Sequence, residues 1–361
     1  MRRLAFVAAI ILAAVPAIAQ NRGGTVRIGV IAPRSGAQAI LGKQVIDGAK
    51  AALATKAGAA TIVEADTQCS AKGGEAAARE LVKAKATIAL GFLCTPAIEA
   101  ALPVLKQAGI VTLDVGVRAN RLTDKKVRTG DLIYRLAPRS GAAAAAITRF
   151  IEARWADQPF GLIDDGSIAS RGLSDSVRRR LGDDGLKPQT VDNYRPAEEK
   201  QFGLARRLQR TGVTRFFIAG DRPDIAIIAR DAKALGLDLT ILGDENLFDE
   251  ASVDTPLPAG IIAIGPKTSF PELAPKGTDL SVPGSLPPQG YFGTAYAAME
   301  VALEASAKAG ASKRSILTIL ASQPFDTGLG AIRFDGKGDS DLDLFRVFEW
   351  QGEKFVEETG G

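Results

Sequence analysis

The chain has 361 residues, of which 46% are hydrophobic and 24% are charged, an ordinary composition for a packed globular protein. Its net charge is +4 and its Lys and Arg residues are scattered rather than clustered, so we expect no nucleic-acid partner. The chain contains no histidine, which excludes Ser-His-Asp and Cys-His catalysis and removes the commonest side-chain ligand of transition metals. We therefore expect neither a metal site nor a cofactor.

The first twenty residues have the three-part pattern of a secretory signal peptide. Met1 to Arg3 is a short basic start, Leu4 to Ala14 is an apolar run, and Ala17-Ile18-Ala19 is a small-x-small cleavage site. A transmembrane anchor is the alternative, but the apolar run is too short for the ~30 Å of hydrocarbon in a bilayer. We predict that residues 1–19 are cleaved off and that the protein is exported to the periplasm. About 340 residues then remain, enough for two domains.

The next part of the chain alternates strand and helix patterns. Strands are predicted from β-branched and apolar runs, and helices from apolar residues at helical spacing. The predicted strands of this first series are Thr25–Pro33, Ala60–Ala65, Ala86–Leu93 and Gly109–Val115. The helices between them are Gly42–Ala57, Glu75–Ala84 and Pro96–Ala108. Connections this short favour right-handed parallel crossovers, and hence an open, doubly wound α/β sheet.

A second α/β series follows, so we expect two lobes rather than one large sheet. Its predicted helices are Ala142–Ala156, Arg171–Leu181, Glu199–Thr211 and Asp224–Leu235. Its predicted strands are Phe160–Asp164, Gln189–Tyr194, Arg215–Ala219 and Leu239–Leu242. The segment Pro271–Gly290 is rich in proline and glycine and predicts an extended loop near a lobe crossing. The remaining elements are a long helix, a strand with its turn and a terminal strand, over Tyr291–Ala309, Ile332–Asp339 and Phe345–Trp350.

The chain has two cysteines, Cys69 and Cys94. In an exported protein such a pair predicts one disulfide. It would close a loop of about 25 residues and stabilise the fold by roughly 3 kcal/mol. Two separate buried thiols are the alternative, which an oxidising compartment disfavours.

Open α/β sheets bind ligands beyond the carboxyl ends of their strands, so the residues that follow the strands are the candidate ligand contacts. We expect Thr95 to cap a helix with Pro96 at its first position, where free amides and the helix dipole favour a ligand carboxylate. A cap that serves only the helix is the alternative. Glu245 suits a ligand ammonium and Arg118 a ligand carboxylate, although solvated surface charges give the same pattern. Asp221 has the same two interpretations.

Motifs spread along the chain carry a family resemblance. They are Ile28–Gly36, Leu41–Gly48, Asp66–Cys69, Gly91–Cys94, Phe216–Gly220, Gly243–Glu245 and Phe325–Asp335 with Gly338-Asp339. In this order and spacing they resemble the leucine/isoleucine/valine-binding protein family over essentially the whole mature chain. The resemblance implies a type I periplasmic-binding-protein fold, an α/β architecture in which two doubly wound, Rossmann-like lobes are joined by three crossings.

The resemblance also implies a domain organisation and a role. The crossings would lie near Ser140, Pro271 and Ser340, with lobe 1 formed by residues 24–139 and 271–338 and lobe 2 by residues 140–270 and 339–361. A monomer of this kind binds a small molecule and delivers it to the permease subunits of an ABC transporter. A ligand-sensing protein for a membrane receptor is the alternative. An exported hydrolase is disfavoured, because the chain has no Gly-x-Ser-x-Gly nucleophile motif.

Several ligand-binding residues follow from the resemblance. The family's hydroxyl that helps to hold the ligand carboxylate matches Thr95, and its ammonium-binding glutamate matches Glu245. Its contacts after the fourth strand fall at Gly116 and Arg118, where a threonine is usual.

Three further positions in the expected pocket depart from the family. Leu41, Ala169 and Asp221 stand where aromatic rings are usual. Because losing these rings removes apolar walls and adds charge, we expect the ligand to be a polar or larger amino acid, or another small carboxylate, rather than leucine.

Overall fold

The computed structural model describes residues 25–249, 255–279, 281 and 287–358. The predicted signal peptide lies outside the described residues. Within these ranges the chain forms a five-stranded sheet, a seven-stranded sheet and a two-stranded sheet. No helix of the described part is long and apolar enough to cross a membrane.

The first lobe is a parallel sheet flanked by helices. Its strands are β1 Val26–Ala32, β2 Ala60–Asp66, β3 Ile88–Gly91, β4 Val111–Asp114 and β5 Ile133–Arg135. Its helices are α1 Ala39–Ala54, α2 Ala71–Lys83, α3 Thr95–Gln107, α4 Arg121–Asp124 and α5 Lys126–Thr129. The strands lie in the order β2-β1-β3-β4-β5 and every neighbouring pair is parallel.

The second lobe starts with the next helix. Its helices are α6 Ala142–Trp155, α7 Ile168–Asp183, α8 Phe202–Thr211 and α9 Arg222–Ala234. Its strands are β6 Phe160–Asp164, β7 Thr190–Asn193, β8 Arg215–Ala219, β9 Thr240–Gly243 and β10 Ile262–Pro266. A short 3-10 helix, Glu245–Phe248, follows β9, and another, Pro271–Leu273, follows β10.

The last part of the chain returns to the first lobe and then completes the second. The elements are α10 Phe292–Ser312, α11 Ile316–Ser322, β11 Phe325–Thr327, β12 Gly330–Ile332, β13 Phe345–Trp350 and β14 Phe355–Glu357. Helix α10 packs on α1, whereas β13 pairs antiparallel with β10, giving the second sheet the order β14-β13-β10-β9-β8-β6-β7. The chain thus passes between the lobes after β5, β10 and β12. Two doubly wound lobes joined by three crossings are confirmed, and the lobe boundaries stay a prediction.

Each sheet has an apolar layer on both faces, which is why its central strands are nearly continuous apolar runs. In β1, Ile28 and Val30 pack towards α1 and α10, whereas the next residue, Ile31, packs towards α2 and α3 on the other face. Gly74 lets α2 approach α3 closely, because an added Cβ there would lie 2.2 Å from the carbonyl oxygen of Ala97. The helices are therefore fixed against the sheet, and the strand ends that they flank are fixed with them.

A buried ion pair ties the first crossing to the third. Arg135, at the end of β5, is fully buried, and its Nε and Nη2 donate to Oδ1 of Asp339 at 2.8 and 2.6 Å. The Thr123 hydroxyl donates to the other Asp339 oxygen at 3.0 Å, and Arg139 donates to that oxygen as well. The backbones also pair, since Arg135 N–H donates to the Gly338 carbonyl and Ser340 N–H to that of Arg135.

The structure corrects several sequence predictions. Helix α1 begins at Ala39 rather than Gly42, and α7 begins at Ile168 rather than Arg171. Strands β5, β10, β11 and β14 were not predicted, and all but β10 have three residues, too few to show a strand pattern. The strand predicted over Ile332–Asp339 lies earlier, as β12 Gly330–Ile332. The second sheet is mixed, because the chain reaches β13 from the first lobe and enters in the opposite direction.

Candidate ligand-binding site

The carboxyl-terminal ends of the two sheets face each other across a cleft, and one ion pair spans it. Arg118 follows β4 of the first lobe and Glu245 follows β9 of the second. Arg118 Nη1 donates to Glu245 Oε1 at 2.7 Å, so two predicted ligand contacts lie together across the lobes. Each side chain is 35% exposed. The pair is therefore accessible from solvent while it is partly shielded by its surroundings.

Arg118 is fixed at both its backbone and its side chain. Ser140, in the first crossing, donates its N–H and its hydroxyl to the Arg118 carbonyl at 2.9 and 2.7 Å. The guanidinium carbon lies 5.5 Å from the ring centroid of Phe345, the first residue of β13. Nε of Arg118 is buried and has no partner among the described residues. The guanidinium thus keeps donor capacity beyond its bond to Glu245.

Thr95 lies at the start of α3, but it is not the cap that we predicted. The helix begins at Thr95 itself, and Cys94 occupies the capping position without a side-chain hydrogen bond. Pro96 has no N–H, and the Ala97 N–H already donates to the Cys94 carbonyl at 3.1 Å. Thr95 is half-buried, and its hydroxyl makes no hydrogen bond within the part of the chain that is described.

The predicted disulfide is confirmed. Cys69 and Cys94 are bonded, with their Cα atoms 5.3 Å apart. The bond joins the loop after β2 to the loop after β3, directly beside Thr95. Gln68, Cys69 and Phe92 in these loops have positive φ angles of 49°, 52° and 68°, a region that residues other than glycine seldom occupy. The disulfide therefore braces the backbone at the carboxyl edge of the first sheet.

Gly116 lies where a side chain has no room. An added Cβ would lie 2.5 Å from the Leu93 side chain and 2.9 Å from the ring of Tyr291. Burial raises the pKa of the Tyr291 hydroxyl, and the charges of Arg118 and Glu245 also act on it. Tyr291 thus lies beside the ion pair and supplies an aromatic wall. Sequence reasoning missed it as a site residue.

Leu41 and Ala169 occupy the first turns of α1 and α7, one at each rim of the cleft. Leu41 is half-buried, and Ala169 is exposed. Each follows an exposed isoleucine, Ile40 being 72% and Ile168 95% exposed. These side chains place apolar surface at the two rims, although none supplies the aromatic ring that the family carries.

The second-lobe edge of the cleft is acidic. Asp221 is exposed at the start of α9, and its side chain caps no backbone N–H. Asp165, Asp224 and Asp244 lie at the same edge. The described ion pairs at this edge, Arg118–Glu245 and Arg171–Asp164, leave these four carboxylates out. Burial, together with the charges of Glu245, Asp221 and Asp165, raises the pKa of Asp244 to about 6, although the Asn246 N–H opposes the shift.

Comparison with known proteins identifies the family. The family model of the periplasmic binding proteins matches residues 25–354, most of the chain. The chain belongs to the periplasmic binding protein family. A relative, the leucine-, isoleucine-, valine-, threonine- and alanine-binding protein of Pseudomonas aeruginosa, is 24% identical over 79% of this chain and 77% of its own length.

Solved structures show the same fold. An ABC transporter substrate-binding protein from Desulfitobacterium hafniense in complex with Leu matches with a TM-score of 0.64 and 20% identity, covering 92% of this chain and 99% of its own. A solute-binding protein of an ABC transporter from R. palustris in complex with 4-hydroxybenzoate matches with a TM-score of 0.59 and 16% identity, covering 93% and 96%. This periplasmic binding protein therefore has the type I fold that the motifs implied.

Two tyrosines at the cleft of this periplasmic binding protein were missed in the sequence. Tyr291 directly follows Gly290, the last residue of the Pro- and Gly-rich segment, which has a φ of +61°. An aromatic residue at a predicted lobe crossing was the signal that could have identified it. Tyr194 was assigned to the end of a strand, but β7 ends at Asn193. It therefore follows a strand like the other candidates, and a more accurate strand boundary would have placed it among them.

Two other observations bear on the site. A groove of about 730 Å³ is lined by residues of α3, α4, α5 and the loop after α5, and it includes none of the cleft residues. Among the described Cys, Asp and Glu side chains, no group of three is placed to hold a metal ion. The acidic edge is thus not arranged as a metal centre.

Proposed function

We propose that this protein is the extracytoplasmic solute-binding component of an ABC importer and captures an amino acid or a related small carboxylate in the cleft. The observation that carries the proposal is the ion pair between Arg118 and Glu245 across the lobes. A type I fold with opposite charges on facing walls suits a small zwitterion. Its lobes would close over the ligand by a hinge motion at the crossings.

The chemistry of the two walls gives the ligand an orientation. A ligand carboxylate would accept from the Arg118 guanidinium, and the Thr95 hydroxyl would donate to it from the start of α3. A ligand ammonium would donate to Glu245. The ligand would therefore replace one ion pair between the lobes with two, and Tyr291 would cover its carbon atoms. Closure of the cleft is then favoured only by a ligand that carries both a carboxylate and an ammonium.

The role is binding, not catalysis. The chain has no histidine to serve as a general base, and a carrier of this kind releases its ligand unchanged to the permease subunits. A periplasmic location, with cleavage of residues 1–19, fits the disulfide between Cys69 and Cys94, because such bonds persist in oxidising compartments. A monomer suffices, since the cleft is built from one chain.

The substitution Glu245→Gln tests the assignment. It keeps the shape of the side chain and removes the charge that holds the ammonium, so we expect the affinity for the best amino-acid ligand to fall about tenfold or more. Stability should change little, because a partly exposed ion pair contributes only ~1 kcal/mol or less. Isothermal titration calorimetry measures the affinity, and thermal unfolding measures the stability.

Glu353→Gln is the matched control, because Glu353 is an exposed glutamate of the same lobe, in the turn between β13 and β14. We expect it to bind the ligand like the parent protein. Equal affinities for the parent and the Glu245→Gln variant would show that Glu245 does not hold the ligand, and the proposed orientation would be wrong.

A further inference from the structure

We propose that the second-lobe wall of the cleft is a cation-binding subsite, so that the ligand is an amino acid whose side chain carries an ammonium or guanidinium group. This inference rests on the proposed function and names the class of ligand within it. The subsite consists of Asp165, Asp221, Asp224 and Asp244 around the hydroxyl of Tyr194; we call it the acidic subsite.

The topology brings these residues to one place. Asp165 follows β6, Tyr194 follows β7, Asp221 follows β8 and Asp244 follows β9, so each lies at the carboxyl edge of the second sheet. Asp224 is in the first turn of α9, one turn after Asp221. Four neighbouring parallel strands thus deliver the first or second residue after each strand to the same wall.

The Tyr194 hydroxyl is the independent sign of a missing partner. Tyr194 is only 5% exposed, yet its hydroxyl has no hydrogen-bond partner among the described residues. The hydroxyl packs against Gly220, where an added Cβ would lie 1.9 Å from it and 3.5 Å from Cβ of Asp165. A buried hydroxyl without a partner is destabilising, which points to a group that supplies one when the site is filled.

The charges around the hydroxyl identify that group as a cation. Burial raises the pKa of Tyr194, and the negative charges of Asp224, Asp165, Asp221 and Asp244 raise it further. Each of these carboxylates is thus close enough to act on the hydroxyl, although none accepts a hydrogen bond from it. Asp244 is itself only 4% exposed, and it takes part in none of the ion pairs of the described residues.

An organic cation fits this arrangement. An ammonium has three N–H donors and a guanidinium has five, and either can donate to several carboxylates and to a tyrosine hydroxyl at once. The position is also suitable, because Glu245 directly follows Asp244. A ligand whose α-ammonium lies at Glu245 would extend its side chain along the same wall to the acidic subsite.

The test compares charged amino acids with their uncharged counterparts by isothermal titration calorimetry. Arginine is paired with citrulline, and lysine with norleucine. We expect at least one charged member to bind about tenfold or more tightly than its counterpart, as the loss of a charge-assisted hydrogen bond implies. Equal affinities within both pairs, or tighter binding of leucine, would overturn the inference.

Two variants locate the effect. Asp221→Asn should weaken the charged ligand about tenfold and leave its uncharged counterpart unchanged. Tyr194→Phe should also weaken the charged ligand without lowering the melting temperature, because the hydroxyl has no partner in the protein. Asp238→Asn is the matched control, since Asp238 is exposed near the opposite end of β9. If Asp221→Asn behaved like Asp238→Asn, the acidic subsite would be refuted.

The outcomes separate this inference from the proposed function. If leucine binds and depends on Glu245 while the charged amino acids do not bind, the proposed function stands and the acidic subsite is wrong. Agmatine, which keeps the guanidinium of arginine but lacks the carboxylate, tests the converse case. Agmatine binding that depends on Asp221 and not on Glu245 would support the subsite and contradict the amino-acid orientation. If none of these compounds binds, the acidic subsite is wrong, whereas the proposed function still allows another amino acid or a small carboxylate as the ligand.

Discussion

Asp114 shows how a single buried carboxylate shapes the cleft. It ends β4, and its Oδ1 accepts from the N–H groups of Gly116 and Val117 at 3.2 and 2.9 Å. The turn that carries Gly116 to Arg118 is thereby held in place. The other oxygen is buried without a partner among the described residues, and burial raises the pKa of Asp114 to about 7. The positive charge of Arg135 opposes that shift, and the negative charge of Asp339 adds to it.

This shift predicts a pH dependence of stability. The folded chain binds a proton at Asp114 up to about pH 7, whereas the unfolded chain loses it near its ordinary pKa of 3.8. The folded state therefore binds more protons between these values, so this group's contribution to the free energy of unfolding decreases as pH rises from about 4 to 7. Asp114→Asn removes this contribution.

Urea denaturation of the parent and the Asp114→Asn variant at pH 4.5 and pH 8 measures the effect. We expect the parent to lose stability relative to the variant on going from the lower to the higher pH. A difference between the two proteins that does not change with pH would show that Asp114 stays charged in the folded state.

At the scale of elements, the strand-end loops carry the proposed ligand contacts, and the disulfide braces two of them. The loop after β2 is further held by Asp66, whose Oδ1 accepts from the N–H groups of Arg34 and Gln68, and whose Oδ2 accepts from the Ser35 hydroxyl at 2.7 Å. The start of the first-lobe rim is therefore tied to the disulfide loop. Thr95 depends on both for its position.

Removal of the disulfide tests this bracing. The double variant Cys69→Ser, Cys94→Ser should lose about 3 kcal/mol of unfolding free energy, because a loop of 25 residues is no longer closed in the unfolded chain. Denaturant unfolding with and without a reductant measures it. The reductant should destabilise the parent by a similar amount and leave the variant unchanged. A parent that is insensitive to reductant while fully reduced would contradict the prediction.

The bounds of several strands could be predicted from the sequence, whereas the helix starts and the contact between the lobes could not. Strands β6, β8 and β13 have the predicted bounds, since each is an apolar run that ends sharply. The helix starts were less accurate, because the first turns of α1 and α7 carry the exposed Ile40 and Ile168, which lie outside the buried apolar face of each helix. Among the site residues, the contact of Arg118 with Glu245 spans 127 positions and depends on how the lobes face each other, which no local pattern encodes.

At the scale of the whole molecule, the crossings determine how the lobes face each other. The ion pair of Arg135 with Asp339 fastens the first crossing to the third, and Arg139 and Lys337 extend it through Asp124 at 2.9 Å each. The motif residue Asp339 thus serves the hinge of the fold.

Asp339→Asn tests the hinge. It leaves the buried Arg135 guanidinium without its charged partner, and breaking such a pair typically destabilises a protein by ~3–5 kcal/mol. Asp343→Asn is the matched control, because Asp343 pairs with Arg149 at the surface of the same crossing, where the loss should stay below ~1 kcal/mol. Equal losses in the two variants, measured by urea denaturation, would show that the buried pair does not stabilise the hinge.

The central claim is that the two lobes capture one amino acid between Arg118 and Glu245. The most direct measurement is affinity selection by mass spectrometry. Protein freed of ligand by unfolding and refolding is mixed with the twenty amino acids, separated by gel filtration and denatured, and the released compound is quantified. The account predicts close to one amino acid per chain, with a cationic side chain, and about tenfold less from Glu245→Gln. Retention of no amino acid, or equal retention by that variant, would contradict it.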